Sequence, residues 1–212
     1  MGIFSKKSKN KTKIGALGAE LIATFFLTKM VLLTINGNIE LATPLAASLT
    51  LMLFVYTIGS MSGAHLNPAI TIGLLATRKI KSMEAAWYVV VQVIGAALAM
   101  LTTALLFGLP EVSTTGVAWQ IILGEFIGTF VLAWGVYSVS SGKAPAAASG
   151  ITIGGSLLLG IFLASPFSNA VLNPAVALGI GSVSILYILT PIVASITSMH
   201  LYKYLENSKI SL

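Results

Sequence analysis

The feature that most constrains this chain is an internal repeat. The segment ELIATFFL, residues 20–27, reappears as EFIGTFVL, residues 125–132, at an offset of 105 residues. The segment AHLNPAITIG, residues 64–73, reappears as AVLNPAVALG, residues 170–179, at an offset of 106. Two separated matches at nearly the same offset are improbable by chance. We therefore predict two corresponding halves, residues 14–109 and residues 119–206.

The composition predicts an integral membrane protein. Of the 212 residues, 56% are apolar and 8% are charged, whereas about a quarter of an average soluble domain is charged. This excludes an ordinary soluble enzyme, a nucleic-acid binder and a disordered chain. A spanning helix takes about 20 residues. Six apolar segments have about that length, residues 14–35, 44–61, 85–109, 119–139, 146–165 and 185–204.

The number of spans in each half determines how the halves are related. Each half contains three spans, and an odd number means that the second half starts from the opposite side of the membrane. The repeats are therefore inverted, with a pseudo-twofold axis in the membrane plane. Two shorter apolar stretches, residues 67–77 and 173–181, cannot span and are predicted to be re-entrant. The expected fold is an all-α membrane protein with six transmembrane helices and two re-entrant half-helices.

The distribution of charge predicts the orientation. Residues 1–13 contain five of the twelve basic residues, which is typical of a basic cytoplasmic tail that is attracted to anionic lipid. If both termini are cytoplasmic, eleven of the twelve lie inside and Lys29 is the exception, while the outside carries Glu40 and Glu111. This agrees with the positive-inside rule. The net charge of +6 is thus a topology signal, and we expect a multi-pass protein of the plasma or inner membrane without nucleic-acid binding.

Each short stretch begins with Asn-Pro-Ala, at Asn67 and at Asn173. Asparagine is a favoured N-cap because its side-chain oxygen accepts from an otherwise unpaired backbone N–H. Proline suits the first helical position, where a backbone N–H would have no partner. We therefore predict two helices of about ten residues and about 15 Å, half the hydrocarbon thickness. Inverted symmetry places their N-termini tip to tip at the midplane.

This arrangement predicts a pore for small neutral molecules. The two helix N-termini carry partial positive charge and repel cations and protons. Each capping asparagine presents NH₂ donors to whatever passes. The irregular backbone of residues 63–66 and 169–172 is tolerated in a membrane where it lines a water-filled cavity. The predicted midplane residues are Asn67, Pro68, Ala69, Asn173, Pro174 and Ala175.

These motifs resemble those of the aquaporin and glycerol-facilitator (major intrinsic protein) family. The segment SGAHLNPAIT, residues 62–71, matches the first signature loop of the family. Other matches are Ala19 with Glu20, Gly124 with Glu125, QVIG at residues 92–95, and Tyr187 with Pro191. The resemblance covers about residues 14–206. It implies a right-handed six-helix bundle, one pore in each subunit and usually a homotetramer.

The chain departs from the family at the outer selectivity filter. Val176 stands where the family usually has an arginine, and Ile70 is its counterpart in the first half. The other filter positions correspond to Ala47, Ile161 and Ala170, with Gly160 as an alternative to Ile161. An apolar filter should be wider and drier than usual. We expect passage of water and, in addition, of glycerol, ammonia, hydrogen peroxide or uncharged metalloid acids, while dewetting of the apolar ring could instead slow conduction.

Few titratable residues lie within the spans. Glu20 and Glu125 are interpreted as acceptors that hold the re-entrant loops, the alternative being a proton relay. For His65 we predict a loop-bracing hydrogen bond that involves Glu125, with a pH gate as the alternative. Lys29 points away from the Glu20 face, so we expect it to snorkel toward the outer interface, with a subunit contact as the alternative.

The function predicted from these residues is a passive channel. The alternative is an ion- or proton-coupled secondary transporter that uses Glu20 and Glu125. An intramembrane enzyme is disfavoured because the chain has no cysteine and no aspartate. We expect no cofactor and no metal, and as partners only small neutral solutes, lipid and further copies of the chain.

Overall fold

The computed structural model describes residues 14–109, 111–112 and 116–208. The predicted basic tail, residues 1–13, lies outside the described residues, as does Lys209. The described chain is helical. Its helices are α1 Ile14–Ile35, α2 Thr43–Ser62, α3 Pro68–Ala76, α4 Ser82–Phe107, α5 Ala118–Ser140, α6 Ser149–Ala164, α7 Pro174–Ile180 and α8 Leu186–Asn207. A 3-10 turn, Ala146–Ala148, leads into α6.

The order of the helices confirms the predicted pattern of three long helices and one short helix in each half. The helices α1, α2, α4 and α5, and the stretch Ala146–Ala164, are long and apolar enough to cross a membrane. The sixth predicted span corresponds to α8, which has 22 residues like α1. It is more polar because it contains His200, Lys203 and Glu206.

The long helices form a bundle in which the two halves meet twice. In the first half α1 packs against α4 and α2, and in the second half α5 packs against α6 and α8. The helices α2 and α6 join the halves. The short helices form the second junction, because α3 packs mainly on α8 and α7 packs mainly on α4. Each half-helix is thus held by a long helix of the other half.

Glycines allow the helices of the second half to approach closely. A Cβ atom on Gly160 of α6 would lie 2.5 Å from the backbone oxygen of Gly128 on α5, and one on Gly128 would lie 2.7 Å from the oxygen of Gly160. Any side chain at either position would therefore push the helices apart. Small residues in such crossings permit close packing in membranes.

The outward surface of the bundle is apolar. Large hydrophobic side chains such as Leu53, Leu105, Phe162 and Leu189 are more than half exposed. In water so much apolar surface would favour aggregation, whereas in a bilayer it contacts lipid.

The end of the bundle at which α1 ends and α2 begins is here called the outer end, and the opposite end is called the inner end.

Candidate functional site

The two half-helices are capped as the sequence predicts. Asn67 is extended, and its side chain accepts a hydrogen bond from the backbone N–H of Ala69 at 2.9 Å. Asn173 accepts in the same way from Ala175 at 3.0 Å and from Val176 at 3.4 Å. The helices are shorter than the expected ten residues, with nine in α3 and seven in α7. The second ends early because Gly181 adopts a left-handed conformation, with φ of 88°, and caps it.

The tips of the half-helices are joined by reciprocal hydrogen bonds. The Nδ2 atom of Asn67 donates to the backbone oxygen of Leu172, and that of Asn173 donates to the backbone oxygen of Leu66, each at 2.9 Å. An amide NH₂ has two hydrogens, so each asparagine has one more donor. The sequence predicts NH₂ donors that face the passing molecule, and the structure uses one hydrogen of each pair to join the two halves.

The backbone before each asparagine has the same unusual conformation in both halves. Ala64 and Leu66 have φ of 49° and 51°, and their counterparts Ala170 and Leu172 have φ of 51° and 55°. Residues with a Cβ atom rarely adopt this left-handed region. Such strain persists only where the surroundings hold it in place.

The Glu20 carboxylate supplies that restraint in the first half. It is buried and accepts four hydrogen bonds. Its Oε1 atom accepts from the Ser62 hydroxyl at 2.7 Å and the His65 backbone N–H at 2.9 Å. Its Oε2 atom accepts from the Leu66 backbone N–H at 2.8 Å and from Gln92 at 2.9 Å. Every bond fixes the loop or a helix that packs beside it.

Glu125 does the same in the second half with three bonds. The Ser168 hydroxyl donates to Oε1 at 2.8 Å and the Val171 backbone N–H donates to the same atom at 3.0 Å. The Leu172 backbone N–H donates to Oε2 at 2.8 Å. Both glutamates thus accept hydrogen bonds from the re-entrant loop of their own half.

Sequence reasoning missed the residues that complete these braces. The Ser62 and Ser168 hydroxyls are related by the same offset as Asn67 and Asn173, and this repeat relation would have revealed them. Tyrosines add a further pair of bonds. The Tyr88 hydroxyl donates to the backbone oxygen of Ser62 at 2.9 Å, and the Tyr187 hydroxyl accepts from the backbone N–H of Asn169 at 3.1 Å.

His65 and Lys29 each make specific contacts within the bundle. The backbone N–H of His65 donates to the carboxylate of Glu20 in the same half. The ring Nδ1 atom of His65 lies 3.1 Å from the Thr71 hydroxyl oxygen. The Nζ atom of Lys29 donates to the Thr102 hydroxyl at 3.3 Å and lies 5.6 Å from the ring centre of Phe107, the last residue of α4. Lys29 thus reaches toward the outer end, as snorkelling predicts.

A cavity of about 420 Å³ lies beside the two asparagines. Asn67 and Asn173 both line it. At the outer end it is lined by Ile35 and Thr43, and toward the inner end it reaches Val136 and Ile153, one turn from the inner ends of α5 and α6. Most of the remaining lining is aliphatic.

The four positions expected at the outer filter all line this cavity, namely Ala47, Ile161, Ala170 and Val176. Gly160, the alternative to Ile161, packs against Gly128 instead. The structure therefore assigns the lining position to Ile161. Ala47, Ala170 and Val176 are buried, and none of the four side chains carries a polar group. The ring is entirely apolar.

These features define a class of protein. The chain is a multi-pass helical bundle with inverted halves, and its two capped half-helices are joined tip to tip. A mostly apolar cavity runs past their asparagines. This arrangement is that of a membrane channel for small molecules. The aliphatic lining can hold no solute tightly, and the asparagine donors orient one without retaining it.

Comparison with known proteins identifies the family. The sequence profile described as Major intrinsic protein matches residues 6–202. Aquaporin NIP1-2 of Arabidopsis thaliana is 32% identical over 212 residues, which covers 88% of this chain and 72% of that protein. Nodulin-26 of Glycine max is 36% identical over 166 residues, which covers 73% of this chain and 61% of that protein. The chain belongs to the major intrinsic protein family, and it is a channel, not an enzyme.

A solved structure supports the fold. The chain is similar to the X-ray structure of the aquaglyceroporin from Plasmodium falciparum, with a TM-score of 0.74 and 20% sequence identity. The match covers 92% of this chain and 96% of that chain. At this identity the similarity shows the fold alone, so the selectivity of the channel has to be argued from its own residues.

Proposed function

We propose that this channel passively conducts water and a broad range of small uncharged solutes. The observation that carries the proposal is the pair of capped asparagines beside a cavity whose other lining is mostly aliphatic. One amide hydrogen of each asparagine is left after the bond across the halves, so a passing molecule meets two donors at the midplane. Water and small alcohols can accept from both.

Charged solutes are disfavoured by the same geometry. Two helix N-termini point at the midplane and add partial positive charge there, and the lumen around them is apolar. A cation would have to shed its water among side chains that are mostly aliphatic and offer little replacement for it. Exclusion of cations and protons thus rests on the half-helices and the asparagines, without help from an arginine at position 176.

The coupled-transporter alternative requires a titratable group that can take up a proton or ion. Glu20 and Glu125 are its candidates, but both carboxylates are occupied by bonds to the loops. Protonation would break bonds that hold the strained backbone. We therefore interpret both glutamates as structural and the flux as uncoupled.

The apolar ring of Ala47, Ile161, Ala170 and Val176 supports broad selectivity. An arginine in such a ring narrows the lumen and adds a fixed positive charge, and Val176 does neither. We propose that glycerol and comparably small neutral molecules, such as ammonia, hydrogen peroxide and uncharged metalloid acids, pass in addition to water.

Stopped-flow light scattering on proteoliposomes tests the function. With sucrose as the osmolyte, we expect vesicles to shrink faster than protein-free vesicles, with a low activation energy. The rate should not change when a proton or sodium gradient is imposed. Shrinkage at the protein-free rate, or flux that follows either gradient, would contradict the proposal.

The substitution Val176→Arg tests the role of the outer ring. The larger, charged side chain should lower glycerol permeability roughly tenfold, which corresponds to about 1.4 kcal/mol of added barrier, and lower water permeability less. Glycerol and water fluxes are measured in the same vesicles, and Val183→Arg, at an exposed position, serves as the control. An unchanged glycerol-to-water ratio in Val176→Arg would show that this position does not determine selectivity.

The assembly and the location are also proposals. The exposed apolar surface and the family both suit a homotetramer with one pore in each subunit. We further propose a plasma or inner membrane location with both termini cytoplasmic, because the basic residues then lie inside.

A further inference from the structure

The inverted halves create a second ring of side chains on the inner side of the asparagines. The residues that correspond to Ala47, Ile161, Ala170 and Val176 at the offset of 106 are Ile153, Val55, Ala64 and Ile70. Of these, Ile153, Ala64 and Ile70 line the cavity, as all four outer residues do. We call the two sets the outer ring and the inner ring.

The backbone places the two rings at equivalent depths. Ala64 and Ala170 share a left-handed conformation, with φ of 49° and 51°. Ile70 and Val176 each lie on the first turn of a capped half-helix. Ile153 lies four residues after the start of α6 at the inner end, as Ala47 lies four residues after the start of α2 at the outer end.

The two rings differ in bulk. Ile153 replaces the small Ala47, and Ile70 is one carbon larger than Val176, while Val55 is only one carbon smaller than Ile161. The inner ring therefore holds more side-chain volume in an equivalent frame. Ile161 lines the cavity whereas Val55 does not, so the added bulk that faces the lumen at the inner ring is that of Ile153 and Ile70.

We infer that the inner ring of Val55, Ala64, Ile70 and Ile153 limits solute size more tightly than the outer ring does. This inference rests on the proposed function. When a solute crosses two barriers in series, the higher barrier determines its flux. A solute with several hydroxyl groups must shed water to pass an apolar constriction, and the tighter constriction removes more of it. Glycerol should therefore be retarded mainly at Ile153 and Ile70.

A matched pair of truncations on α6 tests this. Ile153→Ala opens the inner ring, and Ile161→Ala removes the same atoms from the outer ring of the same helix. We expect Ile153→Ala to raise glycerol permeability roughly threefold or more. The increase in glycerol permeability caused by Ile161→Ala should be less than about half of the increase caused by Ile153→Ala. Leu159→Ala, which changes a residue that is 52% exposed on the lipid side of α6, is the control and should leave both fluxes unchanged.

A reverse substitution keeps the test decisive if Ile153→Ala folds poorly. Ala47→Ile makes the outer ring about as bulky as the inner one, so two similar barriers in series should lower glycerol flux by no more than about twofold. A larger loss, or a greater gain from Ile161→Ala than from Ile153→Ala, would overturn the inference. Failure of the proposed function is distinguishable, because the unsubstituted protein would then conduct water no faster than protein-free vesicles.

Discussion

At the scale of single residues, the buried glutamates are energetically costly groups and the main restraint on the loops of the site. A carboxylate inside a membrane bundle is costly unless its oxygens are hydrogen-bonded. Glu20 accepts four bonds and Glu125 accepts three. The difference comes from Gln92, whose counterpart in the second half, Ser198, donates to the backbone oxygen of Phe130 instead.

Glu20→Ala should destabilise the protein more than Glu125→Ala does. Each lost bond leaves a buried donor unpaired, at about 1–3 kcal/mol apiece, so both variants should lose several kcal/mol of unfolding free energy. The midpoint of thermal unfolding in detergent measures the loss, with Glu40→Ala at an exposed position as the control. Any folded fraction should keep the parent glycerol-to-water ratio. A normal midpoint with altered solute selectivity would contradict the structural role of these carboxylates.

The sequence predicts which residues belong to the site better than it predicts which of them are hydrogen-bonded to each other. The family resemblance and the repeat symmetry led to the interpretation of Glu20 and Glu125 as braces. The bonds of His65 to Glu20 and Thr71 were not predicted, because the sequence does not show which groups come within hydrogen-bond distance of the loop. Such distances arise from tertiary packing, which no local pattern encodes.

At the scale of elements, the half-helices lock the two halves together. Each packs mainly on a long helix of the other half, and each asparagine donates to the loop of the other half. Their starts were predictable because Asn-Pro has a local conformational preference. The length of α7 was less predictable, since it has seven residues and is capped by the left-handed Gly181, and the long helix α8 continues in polar residues beyond its predicted end.

Asn67→Ala and Asn173→Ala should therefore have similar effects. Each removes a helix cap, worth about 1 kcal/mol, and leaves a buried backbone oxygen on the opposite loop without its donor, which costs about 1–3 kcal/mol more. The lumen also loses a midplane donor, so we expect a faster proton leak. Thermal unfolding and a pH-sensitive dye trapped in proteoliposomes report the two effects, with Asn38→Ala in an exposed loop as the control. Loss at one asparagine alone would contradict the equivalence of the two halves.

At the scale of the whole molecule, inverted symmetry and charge asymmetry coexist. The described basic residues other than Lys29 gather at the inner end, where they tie the helix ends together. Lys79 donates to the backbone oxygen of Ser140 at 3.4 Å, and Lys203 donates to that of Thr77 at 3.5 Å. Lys143 lies 3.2 Å from Glu206. With an even number of spans, the described chain starts and ends at this inner end.

The absence of cysteine from the sequence makes this orientation directly measurable. Lys81→Cys and Lys143→Cys place a thiol on the exposed inner end, and Glu40→Cys places one on the exposed outer end. A bulky, charged maleimide added to intact cells should modify only Glu40→Cys, because it can cross neither the bilayer nor an apolar lumen. Inverted vesicles should give the opposite pattern, and detergent should expose all three thiols equally. Modification of Lys81→Cys in intact cells would contradict the proposed orientation, in which the inner end of the bundle lies on the cytoplasmic side.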